Sequence, residues 1–162
     1  MSFFDPNAYL DLEITESFEK RPLVPASDFP SEIQEIIPRE WASKDKVNAD
    51  GSPKKGIMYE IKHNVLIPED VKAAVGLKPD FKLVLTDYVM VDRNEQGGLD
   101  SSPGANRQLR AYREALDMNK PGVAFRPREM AGRIVLIRLK HEEYPIGSGN
   151  FSEKINGVAA VK

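Results

Sequence analysis

Hydrophobic and polar positions alternate most regularly from Ile57 to Ile67, where Ile57, Tyr59, Ile61, His63, Val65 and Ile67 interleave with Met58, Glu60, Lys62, Asn64 and Leu66. A period of two is that of a half-buried strand. Phe81 to Val91 repeats it, with Phe81, Leu83, Leu85, Val89 and Val91 on one face and Lys82, Val84, Thr86, Tyr88 and Met90 on the other. Ile134, Val135, Leu136, Ile137 and Leu139 form the most β-prone run of the chain, and Lys154 to Val161 is apolar enough for a closing strand. Upstream, Phe29, Ile33, Ile36, Ile37 and Trp41 predict a first strand, although the same spacing fits a helical turn over Ser31 to Ile36.

Helical spacing shows in two places. Leu109, Tyr112 and Leu116, extended by Ala115 or Met118, form one apolar stripe after Ala105, and Pro121-Gly122 ends it. That stripe leaves Arg107, Arg110 and Arg113 on the exposed side, with Glu114 and Asp117 as partners along the helix. A shorter helix is predicted from Pro68 to Gly76, with Glu69 and Asp70 in its first turn, where acids favour the helix dipole. Three polar stretches read as loops by composition: Ala42 to Gly56, Asp92 to Gly104 and Glu142 to Ser152.

The predicted order is strand, long loop, strand, short helix, strand, helix, strand, loop, strand. This is the order of an OB-fold, a mainly β five-stranded Greek-key barrel with a helix between strands 3 and 4 and, here, a short additional helix. Such barrels bind oligonucleotides on the face of strands two and three, flanked by the loops joining strands one to two and four to five. The expected site then comprises Trp41, Lys44, Lys46, Lys54 and Lys55 from the first loop, Lys62, Lys82 and Tyr88 from the strands, and Tyr144 and Phe151 from the last loop. Lysines track phosphates and aromatic rings stack on bases at ~1–3 kcal/mol each.

Charge sharpens this picture. The chain has a net charge of −2, yet residues 1–40 carry nine acids and three bases, whereas residues 41–162 carry sixteen acids and twenty bases. Within 105–141 nine Lys or Arg face three acids. An acidic arm over residues 1–26 is therefore expected before an OB-fold domain over residues 27–162. Pro6, Pro22 and Pro25 keep the arm extended, while Phe3, Phe4, Tyr9 and Phe18 predict that it docks on its own domain or on a neighbouring subunit.

Catalysis finds little to work with. There are no cysteines, hence no disulfides or thiolate sites, and the length suits a single domain. No apolar run approaches the ~20 residues that span a bilayer, so a soluble cytoplasmic protein is expected. His63, on an apolar strand face, reads as a buried core residue. His141, Glu142 and Glu143 alternate along a strand and cannot all face one metal ion. Gly147-Ser148-Gly149-Asn150 lacks the helix and lysine of a phosphate loop. No enzyme activity, metal or cofactor is expected.

Arg113-Glu114-Ala115-Leu116, Pro121-Gly122 through Phe125 and Pro127, Gly132-Arg133 with its apolar strand, and the closing Lys154-Ile155-Asn156-Gly157-Val158 resemble a group of small bacteriophage proteins. Their similar Phe-Asp/Asn-Pro opening is matched by Phe4-Asp5-Pro6. The resemblance covers most of residues 25–160 and implies a single-stranded-DNA-binding or replication and recombination accessory protein in the host cytoplasm. It departs in one respect. Many such binders end in an acidic tail, whereas this chain reads Ala159-Ala160-Val161-Lys162 there, and its acids lie at the start. The arm is therefore expected to recruit replication or recombination proteins or to occlude the site, with homo-oligomer contacts supplying cooperativity. The runner-up is a protein-interaction or virion-associated module on the same barrel, and a third reading is a carboxylate-metal nuclease subunit.

Overall fold

A computed structural model describes residues 4–15 and 20–161. It contains five strands, β1 (Asp28–Val47), β2 (Pro53–Val65), β3 (Leu83–Val91), β4 (Ile134–Glu143) and β5 (Phe151–Ala159). Helices α2 (Glu69–Val75) and α3 (Arg107–Ala115) fall between β2 and β3 and between β3 and β4, as the pattern predicts. The five-residue α1 (Pro6–Leu10) and a 3₁₀ turn at Pro127–Met130 are additional.

All pairings are antiparallel, in the order β3-β2-β1-β4-β5. The twenty-residue β1 is the shared member. Its start pairs with β4, from Asp28 opposite Arg138 to Glu32 opposite Ile134, and from Ser31 onward it pairs with β2. Between Ile33 and Glu35 the register slips by one residue, a β-bulge at Gln34. Ile33 stays anchored there, its N–H donating to the Arg133 carbonyl at 2.8 Å and its carbonyl accepting from Gly132 at 2.7 Å.

The loop expected over Ala42 to Gly56 is mostly strand. β1 and β2 continue as a hairpin closed by a short turn, in which Asn48 N–H donates to the Ser52 carbonyl and Gly51 N–H to the Asn48 carbonyl. Gly56, a loop marker by composition, is instead a strand glycine opposite Trp41, and a Cβ there would lie 2.5 Å from the indole. Glycine inside a strand marks this kind of close approach.

The chain is mainly β, as expected, but its hydrogen-bonded sheet of five antiparallel strands is open where a closed barrel was expected. Edges β3 and β5 come near each other without a ladder, and α3 packs against β3, β4 and β5. α3 has taken over part of the β3 edge. The Asn106 side-chain amide pairs with both backbone groups of Asp92 at 2.8 Å. Two residues on, the Gln108 amide accepts from Met90 N–H at 3.1 Å and donates to the Tyr88 carbonyl at 3.2 Å. Those side chains stand where a neighbouring strand would bond, which blunts the edge.

The core lies between the concave sheet face and α3, built from Phe29, Ile33, Ile61, Val65, Leu83, Val89, Leu109, Tyr112, Val135, Ile137 and Leu139. A polar chain crosses it. Tyr112 donates to Asp87 Oδ2 at 2.6 Å, His63 Nε2 lies 2.7 Å from the Tyr112 hydroxyl, and Ser31 Oγ lies 3.0 Å from His63 Nδ1. With Tyr112 donating to Asp87, its hydroxyl oxygen is left to accept the proton that His63 carries on Nε2, while the Ser31 hydroxyl beside Nδ1 also lies 3.2 Å from the Asn64 carbonyl. Burial pushes Tyr112 up, reinforced by Asp87 beside it, and burial lowers His63 to about 4.

The arm expected over residues 1–26 divides in two. Residues 20–27 are part of the folded body. Val24 is fully buried, its N–H donates to Glu153 at 2.9 Å, and its carbonyl accepts from His141 Nε2 at 2.7 Å. Arg21 grips the same carboxylate with both terminal nitrogens, at 2.7 and 2.8 Å, and lies over the Phe81 ring. Residues 4–15 are exposed, with Phe4 and Tyr9 paired at 5.1 Å between ring centroids; Phe3 and Phe18 lie outside the described residues.

Two consequences are measurable. The His63 value lies below its ordinary 6.5, so the unfolded chain binds the extra proton first, and stability falls as pH drops from about 6.5 towards about 4. The loss reaches about 3 kcal/mol, and the His63 ring protons in NMR should show no titration above pH 5; a midpoint near 6.5 in the folded protein would refute the buried neutral ring. At Glu153, burial raises the carboxyl but the hydrogen bonds from Arg21 and Val24 outweigh it, leaving it below the usual range. Its stabilisation is therefore present above that range and lost on acidification. Glu153→Gln should cost about 1–3 kcal/mol in urea unfolding and open Lys20 to trypsin; unchanged proteolysis would mean that the strap is held by other contacts.

Candidate functional site

The bulge at Gln34 decides what the convex face of the sheet presents. Before it, Phe29, Ser31 and Ile33 point into the core; after it the inward positions become Ile36 and Pro38, opposite Ile61 and Tyr59. Odd positions then face outward. Glu35, Ile37, Arg39 and Trp41 consequently lie beside Lys62, Glu60, Met58 and Gly56 of β2. On the other side of β2, Thr86, Tyr88 and Met90 complete the rows. Each row crosses three strands: Glu35, Lys62 and Thr86; Ile37, Glu60 and Tyr88; Arg39, Met58 and Met90.

This face sets apolar side chains among charged ones. Tyr88 is 53% and Met90 44% exposed, and Val84 lies further along the same side of β3. Its central charges are matched to one another, Arg39 to Glu60 at 3.2 Å and Lys62 to Glu35 at 3.7 Å. Several cations without an ion-pair partner among the described residues lie at its ends. Lys82 immediately precedes β3, and Lys54 sits two residues before Gly56, which puts it on the Trp41 side of β2. Lys44 and Lys46 project from the hairpin end of β1, where the Ser43 hydroxyl accepts the Lys46 N–H at 2.9 Å. Lys55, opposite Ala42, is 4.0 Å from Glu40.

At the hairpin end the face opens into a cleft of about 780 Å³, lined by Trp41, Lys55, Gly56, Arg93, Asn94 and Ser102 among others. The indole lies flat over Gly56, and its Nε1 is buried with no hydrogen-bond partner among the described residues. Buried donors are nearly always matched, so this N–H is a group for which the chain itself offers no acceptor.

Trp41, Lys54, Lys62, Lys82 and Tyr88 are thus brought to one side of the sheet, with Lys44, Lys46 and Lys55 at its hairpin end. Tyr144 and Phe151 are not. β4 passes the start of β1 at Arg138 and runs on to Glu143, so the β4–β5 turn lies beyond one end of β1 while Trp41 lies towards the other. That turn is organised by Glu143, whose carboxylate accepts from the Gly147 and Gly149 N–H groups. It displays Tyr144, 78% exposed, and Ile146, 93% exposed.

Sequence reasoning placed Met58 and Met90 on the outer faces of their strands but named neither them nor Ile37 and Arg39 as site residues, and between an extended binding groove and a solvated helix surface with Glu114 and Asp117 as partners it favoured the latter for Arg110 and Arg113. Asp117 instead pairs with Lys120 at 3.1 Å, and both arginines are partly buried against a second cleft. The spacing of Ile33 and Ile36 was the available signal for the face, because two residues between inward positions, where a regular strand has one, betray the bulge. His141 donates from Nε2 to the Val24 carbonyl. No helix among the described residues is long and apolar enough to cross a membrane. No protein-family model matches this chain, and no curated protein matches it either.

Proposed function

We propose that the chain binds single-stranded DNA on the convex face of β1, β2 and β3, as an OB-type barrel opened between β3 and β5, without strong preference for sequence. The observation that carries this reading is the placement of exposed Tyr88 and Met90 beside half-buried Met58 and Trp41 on one face, with Lys44, Lys46 and Lys54 at its hairpin end and Lys82 at the other. Stacking platforms and surrounding cations are the two things that a single strand needs from a protein. Every base has a flat apolar face, so such a surface takes any sequence, and the lysines release counterions from phosphates irrespective of the base. The strand order and the helix between β3 and β4 support the barrel type, and the resemblance to small phage proteins suggests replication or recombination as the setting.

The mutual neutralisation of Arg39 with Glu60 and Lys62 with Glu35 favours a second reading, a protein-binding module using the same apolar face. Under the first reading these pairs leave phosphate contacts to the peripheral lysines. In either case the exposed acidic segment 4–15 would serve to recruit partner proteins.

Trp41 is the only tryptophan, so its emission reports on this cleft alone. Titration with oligo-dT should quench it, with affinity falling steeply between low and moderate salt, and duplex of equal length should bind more weakly. Tyr88→Ala should weaken oligo-dT binding by about tenfold, as the loss of a stacked base at ~1–3 kcal/mol requires, and Lys54→Ala should lower the salt slope by about 0.7. No binding of oligo-dT at low salt would exclude the first reading and leave the protein-binding one.

A further inference from the structure

Two clefts adjoin near the hairpin end of the sheet, and Asp100 and Ala105 line both. One is the Trp41 cleft. The other, of about 310 Å³, lies between α3, the loop that precedes it and the segment that follows it, and is lined by Ser101, Arg110, Arg113, Asn119 and Phe125 among others. Arg113 is held by stacking, its guanidinium carbon 4.7 Å from the centroid of the Phe125 ring. This contact occupies the flat face of the guanidinium and leaves its N–H edges for acceptors.

Those edges are not satisfied from within the chain. Arg113 Nε is buried without a hydrogen-bond partner among the described residues, and neither Arg110 nor Arg113 forms an ion pair there. The two acids that line the cleft are turned to other uses. Asp100 accepts from the Ser102 N–H at 2.9 Å, and the Ser102 hydroxyl and N–H hold its carboxyl below the usual range. Glu114 is exposed to solvent at the rim.

We propose that this cleft binds a phosphate group, with Arg110 and Arg113 as its cationic contacts. Arg110, Arg113, Ser101 and Asn119 line one small space, so residues able to donate come to it from several elements. A tetrahedral phosphate offers acceptor oxygens in as many directions, whereas a planar carboxylate offers two. Trp41 Nε1 and Arg113 Nε, the two buried side-chain donors left unmatched among the described residues, fall one in each of the adjoining clefts. The phosphate can therefore come from a free phosphate ester or from the backbone of a strand that continues out of the Trp41 cleft across the 100–105 loop. The anion site does not depend on the strand-binding proposal, and the test separates them.

Full-length protein would be titrated with inorganic phosphate and, at matched ionic strength, with chloride, while the arginine Nε–H signals are followed by NMR; oligo-dT is the second arm. The Arg113 signal should shift saturably with phosphate and not with chloride. Arg110→Gln, which leaves the stacked Arg113 in place, should weaken phosphate binding by about tenfold, as expected for one charge-assisted contact. Displacement of phosphate by oligo-dT would assign the site to a nucleic-acid backbone. A phosphate-induced shift without any oligo-dT binding would keep the anion site and remove the strand-binding proposal. Trp41 quenching by oligo-dT, with an Arg113 signal that moves in neither titration, would overturn the anion site and leave the strand-binding proposal standing.

Discussion

Over its first residues β1 is hydrogen-bonded to β4, and from Ser31 onward to β2, so one strand has to lie in two differently directed parts of the sheet. A regular strand would carry its odd positions inward throughout and bury Trp41 with Phe29 and Ile33. The extra residue at Gln34 prevents this, since it bends the strand and exchanges its two faces. The core then closes over Ile36 and Tyr59, and Arg39 and Trp41 turn outward. Gly56 is the matching concession on β2, because no other residue leaves room for the indole. The convex surface is in this sense a product of one bulge and one glycine.

An open sheet has two edges to protect, and here the connection between β3 and β4 does it. Asn106 and Gln108 lend their amides to the β3 edge, and Tyr112, one turn further along α3, reaches through the core to Asp87 and His63. The helix is consequently fixed by polar contacts at positions where a purely apolar stripe would allow it to slide. Such a chain is costly if any member is left unpaired, which makes the seating of α3 on the sheet specific. At the opposite end, the strap from Lys20 to Ser27 uses the same logic with one carboxylate, Glu153, joining the chain before β1 to β5.

Much of this was legible in the residues. Alternation located β2 and β3, the Leu109, Tyr112 and Leu116 stripe located α3, and His63 followed from its place among Ile61 and Val65. Three things were not. Lys44, Lys46, Lys54 and Lys55 with Gly51, Pro53 and Gly56 compose like a loop, yet a two-stranded hairpin needs no apolar residues when both faces are wet. Asn106 and Gln108 look like ordinary polar residues at a helix start, because edge pairing by side chains leaves no periodic trace. Tyr144 and Phe151 belong by type with Trp41, but the distance between them is set by the β1–β4 register, which local pattern does not encode.

The distribution of paired charges bears on how the face would work. Arg39 and Lys62, at its centre, already have carboxylate partners, and breaking those pairs to reach phosphates would gain little over what is lost. The centre is then left to contacts that need no charge, through Tyr88, Met58, Met90 and Trp41. Net attraction for a polyanion has to come from the periphery, from Lys44, Lys46, Lys54 and Lys82, and on the α3 side from Arg110 and Arg113. A strand bound this way would turn its bases towards the sheet and its phosphates towards the rim. Specificity for a base would require unpaired donors and acceptors at the centre of the face, and the pairing of Arg39 and Lys62 with Glu60 and Glu35 withholds them.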